Sequence, residues 1–460
     1  MTLIKSISGI RGTLGGAPEN NLTPIDAVRF AAAYGSWIQQ TNPKKDCTIV
    51  VGRDARISGS MLQALVQNTL IGLGINVIDL GLSTTPTVEM AVVFEGAEGG
   101  IILTASHNPK EWNALKLLNE KGEFISEKSG RDLLEIAAKN AYIFAPVTEL
   151  GKIIKKSDAI DKHIQTILKL PVINIEAVRK AQLRVVLDAV HSTGGIAIPP
   201  LLEALGVAYT PLYCEPTGHF PHNPEPLKEH LGALCSEVVR QKADFGIVVD
   251  PDVDRLAFVD ETGEMFGEEY TLVACADYVL SKKSGNTVSN LSSTRALKMI
   301  TQKNGGQYFA SAVGEVNVVA KMKSVQAVIG GEGNGGIIYP DLHYGRDALV
   351  GIALFLSLLA EKKQSVSQLK ASYPSFFMSK KKISLSPEMD VDSLLEKVNH
   401  HYRDKSPSTV DGVKIDFVDS WVHLRKSNTE PIIRIYTEAP SQKEADALAA
   451  EFMILIGSLE

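Results

Sequence analysis

Cysteine is scarce in this chain: Cys47, Cys214, Cys235 and Cys275 are four in 460 residues, and no two stand in a C-x-x-C spacing. That scatter suggests neither a zinc site nor a disulfide framework and predicts a reducing compartment, the cytoplasm. Long apolar runs are missing too. The longest, ALVGIALFLSLLA from Ala348 to Ala360, is well short of the ~20 residues that cross a bilayer, so it reads as a buried helix and no membrane partner is expected. The opening residues, MTLIKSISGIRG, lack the apolar stretch and cleavage pattern of a secretory leader, and export is not expected. No run of basic residues with interleaved aromatics occurs and the formal net charge is -6, so a nucleic-acid partner is not expected either.

What is present is an ordinary globular composition, 44% hydrophobic and 22% charged, in a chain too long for one core. Short β-branched runs alternate with helix-length amphipathic segments, the mark of α/β domains. CTIVVGRDAR (47–56), LRVVLDAVHSTGG (183–195) and NTVSNLSSTRA (286–296) each read as a first strand running into a polar loop. Each is followed by a later strand that ends in a strongly polar loop: GGIILTASHNP, DFGIVVDPDVDR and VQAVIGGEGNGG. The recurrence predicts three related α/β domains with mixed sheets, at 1–153, 154–257 and 258–370. From 371 the pattern changes: KKKISLSP, GVKIDFVDSWVHLRKS and PIIRIYTEA alternate like antiparallel strands. Ser441 and Glu444 then stand at capping-box spacing before an amphipathic terminal helix, so 371–460 is expected to be a smaller α+β domain.

Asp250, Asp252 and Asp254 alternate directly after an apolar strand, and three hard oxygen donors in five residues suit Mg²⁺ or Ca²⁺. An EF-hand loop would place Glu261 at its twelfth position, but Arg255 stands where that loop needs glycine, and strands flank the segment. A polar turn capped by aspartates is the competing reading. In GGIILTASHNPKEWNALK, Ser106 ends a strand and Pro109 forces a turn, exposing the serine at a sheet's rim. No G-x-S-x-G surrounds it, and a serine needs a base or metal to become a nucleophile. His107 suits proton transfer or a structural hydrogen bond, and Lys116 suits acid/base work, a phosphate contact or plain solvation. GGEGNGG offers Glu332 and Asn334 to vicinal hydroxyls, with a flexible turn as the alternative. Arg425, Ser427, Asn428 and Thr429 make either a phosphate cradle or an Asn/Ser turn. Arg11, Arg53 and Arg56 add positive charge where a phosphate would pass, or are solvated.

TASHNP, DPDVDR, GEGNGG and RKSNTEP, in that order along the chain, resemble the four signature loops of the α-D-phosphohexomutase superfamily. The resemblance implies three related α/β domains plus a smaller C-terminal one, with a catalytic cleft at their junction. It implies a phosphoserine at Ser106 with His107 beside it, and one Mg²⁺ held by Asp250, Asp252, Asp254 and a phosphate oxygen on Ser106. Arg255 and Arg11 would stabilise charge near the transferring group, and Lys116 would be a general acid/base. Glu332 and Asn334 would read sugar hydroxyls, while Arg425, Ser427, Asn428 and Thr429 would grip the phosphate that stays in place. The small-molecule partner would be a phosphosugar, with a sugar 1,6-bisphosphate as activator and intermediate.

Two departures qualify the likeness. Asn334 and Gly336 stand where a G-E-x-S-G-H pattern has serine and histidine, and His343 is the candidate to replace that imidazole. Ala114 in WNALK stands where N-G-x-K is usual. The segments SGIRGT, VGEVNV (313–318) and GEGNGG look most like the phosphoglucosamine mutases. The implied reaction is glucosamine 6-phosphate to glucosamine 1-phosphate, toward UDP-N-acetylglucosamine. Phosphomannomutase or phosphoglucomutase activity is the alternative. A metal-dependent phosphatase or a silent sugar-phosphate sensor would use the same residues differently. None of these motifs bears on oligomeric state.

Overall fold

The computed structural model describes residues 2–6, 9–42, 46–384, 390–426 and 432–459. The first sheet contains β1 (Ile4–Ser6), β2 (Gly9–Thr13), β3 (Thr48–Arg53), β4 (Asn76–Leu82), β5 (Gly99–Leu103), β6 (Trp112–Leu118) and β7 (Ile153–Lys155), in the order β1-β2-β6-β5-β3-β4-β7. The second contains β8 (Arg184–Asp188), β9 (Ala208–Leu212), β10 (Phe245–Val249) and β11 (Leu256–Asp260), ordered β11-β10-β8-β9. The third contains β12 (Asn286–Asn290), β13 (Tyr308–Ser311), β14 (Ala327–Glu332) and β15 (Gly336–Ile338), ordered β13-β12-β14-β15.

The expected recurrence is present as a single strand pattern used three times. A first strand (β3, β8, β12) has the second (β4, β9, β13) parallel on one side and the third (β5, β10, β14) parallel on the other. The third strand then turns back into an antiparallel fourth (β6, β11, β15). The uninterrupted apolar character of β5 and β10 follows from this place, since all five residues of each are buried. The polar loops TASHNP, DPDVDR and GEGNGG are each the connection from third strand to fourth. The functional segments therefore sit at equivalent rims of three sheets.

The last sheet is antiparallel throughout: β16 (Phe377–Ser384), β17 (Val413–Asp416), β18 (Trp421–Lys426) and β19 (Ile432–Ala439), ordered β16-β19-β18-β17. The terminal helix Gln442–Leu459 buries Ala445, Ala449, Phe452 and Ile456, and Ser441 Oγ accepts the Glu444 amide at 3.2 Å, as its spacing predicts. Helix Ala348–Lys362 buries every residue from Ala348 to Ala360, so the longest apolar run is a core helix. Among the described residues, no helix is long and apolar enough to cross a membrane.

That helix lies in a hydrophobic core shared by the second and third domains, where Phe258 stacks on Phe355 at 3.8 Å between ring centres. The first domain and the C-terminal domain each have cores of their own, around Phe30 and Ile101 and around Leu424 and Phe452. The expected divisions after 153 and 257 fall inside β7 and β11. We therefore place those two transitions in the chain just beyond these strands.

Candidate active site

The serine loop runs from β5 to β6. Ser106 has φ of 50°, a left-handed conformation that non-glycine residues adopt only when their surroundings impose it. The surroundings are identifiable. Ser106 N donates to Thr104 Oγ1 at 2.9 Å, and the buried Arg56 clamps the loop. Its two terminal nitrogens donate to the carbonyls of Ser106 (2.5 Å), Asn108 (2.6 Å), Pro109 (2.6 Å) and Trp112 (3.0 Å), and Nε donates to Asp54 at 3.0 Å. All five guanidinium donors are thereby used. The expectation that Arg56 lines a phosphate path is corrected: it is a buried fastener of the serine loop. Arg53 is also committed, to Gln63 Oε1 at 2.8 Å and the Asp54 carbonyl at 3.0 Å.

The clamp aims Ser106 Oγ at the aspartate loop, where it donates to Asp250 Oδ2 at 2.6 Å. Asp250, Asp252 and Asp254 are all fully buried, on the connection from β10 to β11, with carboxylate oxygens within 4.8 Å of one another. Asp250 Oδ1 accepts the amides of Asp254 (3.2 Å) and Arg255 (3.1 Å), the feature the polar-turn reading anticipated. That reading leaves the rest unexplained, because Asp252 Oδ1 and Asp254 Oδ1 have no hydrogen-bond partner although buried. Two orphaned carboxylate oxygens beside Asp250 and the serine hydroxyl are an oxygen-only donor set that fits a hard divalent cation.

Lys116 projects from β6 into the same cluster, with Nζ donating to Asp252 Oδ2 at 2.7 Å and to Asp254 Oδ2 at 3.3 Å. Thr85 Oγ1 donates to Asp252 Oδ2 at 2.5 Å. Burial, reinforced by Asp252 and Asp254, pushes the Asp250 carboxyl well up. Asp254 is equally desolvated, yet Arg346 and Lys116 hold it below the usual carboxylate range. Desolvation would strip the Lys116 ammonium of its proton, but Asp252 and Asp254 outweigh it and raise the group above its ordinary value. In this arrangement Lys116 keeps its proton.

On the other side of Ser106 positive charge gathers. Arg11, on β2, donates to Asn108 Oδ1 at 3.3 Å, and Arg255 donates to Glu225 Oε1 at 3.1 Å while its buried Nε has no hydrogen-bond partner. His107 Nδ1 lies 3.5 Å from Ser106 Oγ. Desolvation, with Arg255 and Arg11 nearby, drops the His107 imidazole well below its ordinary value and keeps it neutral at pH 7. Burial and Arg255 likewise lower Arg11. Crowded cations of this kind favour an anionic ligand.

In the loop from β14 to β15, Glu332 accepts from Asn290 Nδ2 (2.9 Å), the Gly314 amide (3.1 Å) and Arg346 (3.1 Å), and Asn334 Oδ1 accepts the Gly336 amide at 3.2 Å. A Cβ on Gly336 would stand 2.3 Å from Arg346 Cδ, so a side chain there has to displace the arginine. Arg346 in turn bonds Asp254 Oδ2 (2.7 Å) and Glu315 Oε2 (3.0 Å). It ties the sugar loop to the aspartate loop. Sequence reasoning missed Arg346, and the glycine standing where an imidazole was expected was its only signal. The expectation that His343 supplies that imidazole is corrected: its ring nitrogens lie 3.4 Å from Glu89 Oε2 and 3.4 Å from Asp347 Oδ2.

Arg425, on β18, donates to Asp411 Oδ2 at 2.7 Å, which also accepts the Val313 amide at 2.9 Å. A continuous polar chain results, from Arg425 through Asp411, the backbone at 313–314, Glu332 and Arg346 to Asp254 and Lys116. Ser427, Asn428 and Thr429 lie outside the described residues.

Comparison with known proteins agrees with this geometry. Four successive domain descriptions match the chain: phosphoglucomutase/phosphomannomutase alpha/beta/alpha domain I over residues 3–143, domain II over 161–263, domain III over 267–376, and the C-terminal domain over 380–455. A phosphoglucomutase/phosphomannomutase of Thermococcus kodakarensis is 34% identical, covering 94% of this chain and 95% of its own. A probable phosphoglucosamine mutase of Methanopyrus kandleri is 33% identical over 98% and 96%, and a phosphoglucosamine/phosphogalactosamine mutase of Sulfurisphaera tokodaii 31% over 97% and 98%. The crystal structure of a family protein from Burkholderia thailandensis shares the fold, with a TM-score of 0.84 at 24% identity over 100% of this chain and 98% of its own. With matching domains in order along the chain and relatives aligned from end to end, this protein belongs to the phosphoglucomutase/phosphomannomutase family of phosphohexomutases.

Proposed function

We propose that the chain is a phosphoglucosamine mutase, interconverting glucosamine 6-phosphate and glucosamine 1-phosphate through a phosphoserine at Ser106. The observation that carries the chemistry is the strained serine held 2.6 Å from Asp250, with two buried aspartate oxygens unpartnered beside it. The relatives named as phosphoglucosamine mutases support the choice of sugar.

On this reading a sugar hydroxyl oxygen bonds to phosphorus as the phosphorus–Ser106 Oγ bond breaks, giving a sugar 1,6-bisphosphate. After the bisphosphate reorients, the reverse transfer returns its other phosphoryl group to Ser106. Neutral His107 accepts the attacking hydroxyl's proton and the Lys116 ammonium protonates the departing serine oxygen, and each reverses its part in the second transfer. Arg11 and Arg255 hold the transferring phosphoryl, while Arg425 with Ser427, Asn428 and Thr429 grips the other phosphate. Glu332 and Asn334 meet the sugar hydroxyls. Asp250, Asp252, Asp254 and a phosphoryl oxygen on Ser106 would hold one Mg²⁺. When bound, that ion neutralises charge on the transferring oxygens. A sugar 1,6-bisphosphate would serve as activator by phosphorylating Ser106, and we place the enzyme in the cytoplasm.

Phosphorus NMR of the purified chain with Mg²⁺ and a trace of sugar 1,6-bisphosphate tests this against glucosamine, glucose and mannose 6-phosphates. Interconversion fastest for glucosamine and absent in Ser106→Ala supports the proposal, and release of inorganic phosphate alone refutes it. The Thermococcus kodakarensis relative favours a second reading, phosphoglucomutase/phosphomannomutase activity, which faster turnover of glucose or mannose phosphates would establish.

A further inference from the structure

A second buried cluster lies where three domains meet. His163 comes from helix Ala159–Leu168, Glu89 from helix Thr85–Phe94, and His343 and Asp347 from the segment between β15 and helix Ala348–Lys362. His163 Nε2 lies 2.9 Å and His343 Nε2 3.4 Å from the same oxygen, Asp347 Oδ2, and one ligand atom from each of the three residues falls within 4.8 Å of the others. His163 and Asp347 are fully buried. The other Asp347 oxygen accepts the amides of Leu349 (2.8 Å) and Val350 (3.4 Å), which fixes Oδ2 toward the rings.

Each ring's second nitrogen faces a partner of its own. His163 Nδ1 lies 3.0 Å from Thr87 Oγ1, and His343 Nδ1 lies 3.4 Å from Glu89 Oε2. Glu89 is 2% exposed, and neither of its carboxylate oxygens makes a hydrogen bond. Two imidazole nitrogens converging on one carboxylate, each backed by an oxygen, is the pattern of a histidine-rich metal site. Nitrogen donors favour zinc over magnesium, which sets this cluster apart from the all-oxygen aspartates.

We propose that His163, His343 and Asp347 bind a transition-metal ion of the Zn²⁺ type, with Glu89 orienting His343 from behind. The ion joins the first three domains at their junction and takes no part in phosphoryl transfer.

The test uses the full-length chain, stripped by a chelator and dialysed against Zn²⁺ together with a large excess of Mg²⁺, with metal content read by mass spectrometry. About one Zn²⁺ per chain is expected in the parent protein and in Asp252→Asn, with a raised melting temperature in both. Affinity falls by at least about tenfold in His343→Ala. Glu89→Gln leaves all three ligands in place, and an affinity loss of about 10- to 100-fold there reads out the site even if the alanine variant folds poorly. Failure to retain Zn²⁺, parental affinity in both the His343 and Glu89 variants, or loss confined to Asp252→Asn overturns the proposal.

Discussion

The aspartate cluster and the histidine cluster lie at successive positions of one helix start. Thr85 touches Asp252 at 2.5 Å and Thr87 touches His163 at 3.0 Å, two residues apart on helix Thr85–Phe94. Both clusters are buried and both are built around carboxylates, yet they are assembled in opposite ways. The first draws its three acids from a single five-residue loop, keeps two oxygens unpartnered and faces a strained serine. The second collects side chains from positions 89, 163, 343 and 347. A single loop can carry chemistry because its backbone alone sets the spacing of its donors. A set gathered from three domains can only work once those domains have docked, which suits it to holding them together.

Breaking the first cluster has the largest expected effect. Ser106→Ala and Asp252→Asn each reduce mutase turnover by at least about 1,000-fold, with melting temperatures within a few degrees of the parent. Kinetics read beside a thermal melt check both halves of that statement. Breaking the second reverses the pattern: His163→Ala costs about 3 kcal/mol in denaturant unfolding, because Asp347 loses a buried partner, while kcat changes less than about threefold. A large loss of turnover in that variant at full folding would erase the distinction between the clusters.

A histidine outside both clusters provides a reference. Burial pushes His423 down to about 4, and its nitrogens bridge Ser292 Oγ at 2.8 Å and the Asp411 carbonyl at 2.6 Å. Between about pH 6.5 and 4 the unfolded chain binds a proton that the folded chain refuses, so stability falls as pH falls through that window, by up to about 3 kcal/mol. Unfolding midpoints across the range check this, and His423→Asn should flatten the slope. The smallest effect is expected at the link from the aspartates to the sugar loop. In Gly336→Ala the new methyl displaces Arg346, and kcat/KM falls by about tenfold with folding preserved, measured by steady-state kinetics.

What the sequence revealed follows the same division. Ser106 and the three aspartates were legible because each stretch sets several polar groups at the end of an apolar strand, where a buried strand has no use for them. The strand pattern was legible because parallel central strands are apolar throughout. Arg346, Glu89 and His163 were not, since each is a single charged or polar residue whose partners arrive from far along the chain. Arg56 was misread for a related reason: an arginine after a strand looks alike whether it meets a ligand or four carbonyls of its own domain.

The core shared by the second and third domains has a consequence for how the molecule comes apart. Phe245 and Phe258 of one pack against Phe355 of the other, so neither sheet can melt without exposing the helix between them. Four lobes by strand order are therefore three by cooperativity. Heating the metal-stripped chain should separate an independent first lobe, an independent last lobe and one large central unit, in whatever order their own cores dictate.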